Sequence, residues 1–282
     1  MEKEQGKLII IVSVVFAMVL LCMICTSDSV PEVKSLQECT PDAVIVLDDG
    51  RELYDFILDQ NDDETNSIVF YSAHQEIAVY AERVQRMFGM VADLLHEKEG
   101  SEAYLKLYNR IEKYEQICDR MELEIAGFLN LVVGGRLSYE GKMMVNSMLT
   151  IVTEIESIGD CCYNLARTLQ RKQDSHIDFN DEIVSNIDAM FKLDSEALSN
   201  MVALLSSNEP LMSEIMISYN KECEINNYRN QLRGANVENI NNKHYEYQSG
   251  IYYMDMISEC ERLGDYVINV VDAIKQQQVK HA

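Results

Sequence analysis

Two short stretches of this 282-residue chain hold the side chains best suited to chemistry: ESIGD, from Glu156 to Asp160, and ERLGD, from Glu261 to Asp265. In a helix, residues four apart share a face, so each stretch stacks two carboxylates. Like charges at that spacing repel, and the pairs call for positive charge or open water beside them. The glycine before each aspartate costs a helix about 1 kcal/mol against alanine. It also removes a side chain next to the pair, which lets another helix or an ion come close. Carboxylates are hard oxygen ligands for magnesium, calcium, manganese or iron. A helix bundle gathers such ligands from several helices. Glu115, Asp119, Glu122 and Glu124 are candidates from a neighbouring helix of the first half, and Glu222 and Glu224 from the second. The competing reading is a solvated acidic face with a packing glycine.

The elements that must position these residues repeat. HQEIAVYAERV (His74 to Val84) parallels NDEIVSNIDAM (Asn180 to Met190), and MELEI (Met121 to Ile125) parallels KECEI (Lys221 to Ile225). ESIGD parallels ERLGD, and the residues that follow align Asn164 with Asn269. The matches come in the same order, each about 100 residues apart, as a tandem duplication requires. Each unit has three segments of helical periodicity. The first unit is expected to hold helices over Tyr71–Glu97, Glu102–Val133 and Met144–Gln170, the last capped by Ser138. The second is expected to hold Asp181–Leu205, then a helix from Pro210 to Arg233 or Gly234, then one from Asn236 or Ile240 to Ile274. The predicted class is therefore all-α: a tandem pair of three-helix bundles, 71–172 and 176–278.

Ahead of the bundles, Leu8 to Cys25 is an apolar run without charge, long enough to span about 27 Å as a helix. It reads as a single N-terminal transmembrane helix rather than a signal peptide, with residues 1–30 a membrane anchor in the cell membrane. Residues 31–70 read as a linker with a short ordered piece around AVIVL (Ala43 to Leu47), and NDDETNS (Asn61 to Ser67) as loop. Flanking charge leans towards an external helical domain, whereas unpaired cysteines favour a cytoplasmic one, and the helical domain is expected in the cytoplasm. Cys118, Cys161, Cys162, Cys223 and Cys260 sit in helical patterns and read as small core residues. A net charge of −23 argues against nucleic acid as a partner and suits cations or a basic surface. The five histidines form no HExxH or HxxxH, and no GxGxxG, GxxxxGK or GxSxG occurs, so the chain carries no recognisable enzyme motif.

IxxEIESIGDCCYNLA, with its echo SECERLGDYVINV, resembles the PhoU-like family, whose bundles close on a helix of this E-R-x-G-D-x-x-x-N type. The resemblance covers Tyr71 to Ile274. ECEINNYRNQLR (Glu222 to Arg233) is similar, more narrowly, to the PhoU-like tail of bacterial sodium/phosphate cotransporters. The resemblance implies metal clusters of divalent or ferric ions on acidic residues of the second and third helices. Carried over by position, these are Glu156, Asp160, Glu261 and Asp265, with Glu122 and Glu222 from the second helices. In that alignment Ala126 and Asn226 stand where further aspartates are expected. The implied role is regulation of phosphate uptake or homeostasis, with a phosphate transporter or sensor kinase as partner, and a homo-oligomer as one form. A structural bundle with a cation-binding acidic face, and a truncated cotransporter remnant, are the alternatives.

Overall fold

The computed structural model describes residues 63–134, 137–207 and 210–278, and these form six α-helices with no strand among them. They are α1 (Asp63–His96), α2 (Glu102–Gly134), α3 (Tyr139–Asp174), α4 (Asp181–Ser206), α5 (Met212–Asn241) and α6 (Tyr247–Gln278). The membrane-anchor segment and the AVIVL piece lie outside the described residues. Among those described, no helix is long and apolar enough to cross a membrane.

Helix starts follow side-chain capping. Ser101 Oγ accepts from Tyr104 N at 3.1 Å, Ser138 Oγ from Gly141 N at 3.1 Å, and Asn180 Oδ1 from Ile183 N at 2.9 Å. Two boundaries differ from expectation. α1 begins at Asp63, inside the segment expected as loop; that segment holds neither glycine nor proline, so nothing in its backbone prevents the helix. α5 runs through Gly234 to Asn241. Its stop is Lys243, at φ 57°, with Lys243 N donating to Ile240 O at 3.0 Å and His244 N to Asn239 O at 2.9 Å. α3 ends the same way on His176, at φ 55°, with Ile177 N donating to Lys172 O at 3.2 Å. Both are left-handed caps made without glycine.

The described residues fall into two compact units. Residues 63–76, 127–134 and 137–145 make one, with Ala73, Leu129, Val132 and Val145 buried in it. Residues 77–126, 146–207 and 210–278 make the other, and it holds the acidic motifs. Within this larger unit α4, α5 and α6 each pack on the other two. Gly159 of α3 lies against Val84 of α1 and Cys118 of α2. Phe88 of α1 meets Phe191 of α4 edge to face, with centroids 5.3 Å apart, and Ser147 Oγ donates to Ala273 O at 2.7 Å. Ile151, Ile155, Ile158 and Leu165 bury one stripe of α3, worth about 2 kcal/mol apiece. That stripe fixes the rotation of α3 and brings Glu156 and Asp160 out at its edge. Cys118, Cys161, Cys162 and Cys260 are buried as expected, but Cys223 is exposed, because it lies on the outer face of α5.

Candidate metal centre

Glu115 and Asp119 stand one turn apart on α2, and Asp160 faces them from α3. One oxygen from each lies within 4.8 Å of the other two. Glu156 sits one turn before Asp160, and Glu122 lies on α2 just beyond Asp119. Burial, and then Asp160, Glu122 and Asp119 in turn, push the Glu156 carboxyl up to about 7. Burial and then Asp119 raise Asp160. Glu115 is raised by burial, then Asp119, Asp160 and Glu112, against a weaker pull from Arg167. Tyr80 of α1 is fully buried and its hydroxyl has no partner. Burial first, then Cys118, Glu156, Glu122 and Asp119, resist its ionisation. The first half thus gathers acidic oxygens and an unpartnered buried hydroxyl near them. Three carboxylate oxygens at this separation fit a hard cation, whose ligands lie about 2.0–2.6 Å from the ion.

The second half has the same frame and different groups. A Cβ on Gly264 would lie 3.2 Å from Ile225 Cδ1, where one on Gly159 would meet Cys118 Cβ at 3.8 Å. The two glycines are equivalent, so Cys118 corresponds to Ile225. Glu115, Asp119 and Glu122 then correspond to Glu222, Asn226 and Arg229. It differs from the register of MELEI and KECEI, which sets Ile125 opposite Ile225 and Ala126 opposite Asn226. In this register Asp119, not Ala126, stands opposite Asn226. In the second half the Asn226 amide donates to Glu222, and the Arg229 guanidinium binds Glu261. Asp265 is raised by burial, then by Glu261 and Glu222, and lowered by Arg229. A surface hollow beside it is lined by Glu222, Arg262, Asp265, Tyr266, Ile268 and Asn269.

The sequence-predicted residues therefore divide. Asp160 joins Glu115 and Asp119, with Glu156 and Glu122 in electrostatic reach. Glu222, Glu261 and Asp265 meet in the other half, where Glu261 is tied to Arg229. Glu124 and Glu224 are taken by Arg120 and Lys221 in surface ion pairs of 2.7 Å. Two residues escaped the sequence reading. One is Arg229. The other is Asp194 of α4, fully buried, its carboxyl pushed well up by burial and relieved only in part by the Cys260 thiol. Its spacing from Ile187, Met190, Phe191, Leu198 and Met201 marks a core position, and that was legible.

No family model and no curated protein matches this sequence. Solved structures do. The phosphate transport system regulatory protein PhoU from Streptococcus pneumoniae superposes with a TM-score of 0.62 at 14% identity, over 76% of this chain and 96% of that one. PhoU from Pseudomonas aeruginosa superposes with a TM-score of 0.60 at 13% identity, over 77% of this chain and 99% of that one. A likeness at such low identity is one of backbone architecture, and in architecture this chain has the PhoU fold.

Proposed function

We propose that the chain is a regulatory and interaction module of phosphate uptake or phosphate homeostasis. In this reading it acts on a phosphate transporter or its sensor, from the membrane to which Leu8–Cys25 tethers it. The supporting observation is that the helical part superposes on 96% and 99% of the length of two PhoU proteins. The two bundles, 71–172 and 176–278, are the working unit, and the first-half acid cluster is its ion-responsive part. Glu115, Asp119 and Asp160 would hold the ion, a divalent or ferric one. The ion would supply the positive charge that lets α2 and α3 keep their carboxylates face to face. Burial and the neighbouring carboxylates raise Glu156, and a cation beside it would ease its ionisation.

A second reading is a structural bundle whose acidic face binds cations without signalling. Asn226 and Arg229 support it, because they leave the second half short of ligands. Deleting the gene in its own host and following phosphate uptake across phosphate concentrations separates the two. The regulatory reading expects uptake to persist when phosphate is plentiful. Uptake that tracks the parent strain at every concentration rejects it and leaves the structural one.

A further inference from the structure

The two halves answer the same electrostatic problem in opposite ways. Each brings a third-helix pair, Glu156 with Asp160 or Glu261 with Asp265, against a glutamate of the preceding helix, Glu115 or Glu222. The first half adds Asp119 and Glu122, so all five groups are acids. The second half places an amide and a guanidinium at the corresponding positions, Asn226 and Arg229. Both are engaged: Asn226 on Glu222 and Arg229 on Glu261. Arg262, the other arginine nearby, is turned to Glu259 at 2.9 Å and does not serve the pair.

We propose that Arg229 is a built-in cation that takes the place of a dissolved one, so that the second half is closed to divalent ions while the first half depends on them. A guanidinium suits this task. It stays charged across the accessible pH range and offers a planar fork of donors to a carboxylate. Held by its own chain, it is present at unit occupancy whatever the ion concentration. The duplication has thereby separated a half that responds to ions from a half that does not. The contrast with the first half rests on the metal reading given above; the role of Arg229 does not.

The test uses the full chain with manganese as probe, reading melting temperature and the number of Mn²⁺ bound. Asp160→Asn is expected to abolish saturable binding in the otherwise native chain, and Asp265→Asn to leave it unchanged. In the Asp160→Asn background, Arg229→Glu is expected to create one new saturable site and a melting temperature that rises with Mn²⁺. Adding Asp265→Asn should remove both gains. Arg229→Lys keeps the charge and should stay insensitive to manganese. Loss of a bound Mn²⁺ on Asp265→Asn alone overturns the proposal, and that variant keeps Arg229 and its ion pair. So does an Arg229→Glu protein that folds and gains no site. A native chain that binds nothing, beside an Arg229→Glu chain that does, removes the first-half metal reading and upholds the role of Arg229.

Discussion

Replacing Glu156 by glutamine tests whether the first-half carboxylates truly crowd one another. Burial and the charges of Asp160, Glu122 and Asp119 raise this carboxyl from 4.5 to about 7, while a 3.4 Å hydrogen bond from Ser157 pulls weakly the other way. A raised carboxyl stabilises the fold while it is protonated in the native state. That contribution is complete below about pH 4.5 and is lost as pH rises through about 7. At about 1.4 kcal/mol per pH unit the ceiling is about 3 kcal/mol. Glu156 is only partly buried, and water and salt screen it, which reduces the expected effect to about 1 kcal/mol. Urea denaturation between pH 4.5 and 8.5, with chelator present, reads it directly. At pH 8 Glu156→Gln should be more stable than the parent by about 1 kcal/mol, or roughly 2–4 °C in melting temperature. At pH 5 most of the difference should be gone. The gap at pH 8 should narrow as sodium chloride rises, and should close with saturating manganese if a cation answers the same charge. Stability curves that run parallel from pH 5 to pH 8 would refute the reasoning.

Two glycine substitutions probe how closely the helices pack. Gly159→Ala adds a methyl at ordinary contact distance from Cys118 and Val84, so it should gain up to about 1 kcal/mol in thermal melts. Gly250→Ala should lose about 1–3 kcal/mol in the same melts, because its Cβ would lie 2.6 Å from Ile240 Cδ1 and 2.9 Å from Asn236 Oδ1, an atom already bonded to Tyr245. Asp194→Asn should flatten part of the fall in stability with rising pH, since the buried carboxyl must stay protonated and the amide need not. Equal slopes for both proteins in denaturation across pH 5 to 8 would contradict its burial as a neutral acid.

Six helices were legible because their apolar residues recur at helical spacing. Helix ends were less legible. Gly234 reads as a stop, yet glycine ends a helix only when the chain uses its left-handed freedom, and here Lys243 takes that conformation instead. The glycines of the two ExxGD motifs read as equivalent packing devices. In space Gly264 is pressed against Ile225, while Gly159 has room for a methyl. A sequence motif records the residue type and not the gap in front of it. Cys223 went wrong for a related reason: α5 has little contrast between its faces, so periodicity there does not say which side is inward.

The acidic pairs of α3 and α6 stand out by their motif, whereas on α2 the sequence offers two registers, and helix geometry explains why. Glu115 and Glu122 are about two turns apart, so both registers put a carboxylate on nearly the same face of the helix. The similar words MELEI and KECEI favoured one register, and no property of α2 alone opposes it. The choice is made between helices, by which residue of α2 lies under Gly159 and which of α5 lies under Gly264. Once Cys118 and Ile225 are paired, Arg229 moves opposite Glu122, and a residue that looked like one more surface arginine becomes the counter-charge to Glu261. On the proposal made above, the reversal of charge at that one position decides whether a half takes a cation from solution or carries its own. It is also why the two ExxGD motifs, so alike in sequence, are not expected to answer alike to manganese.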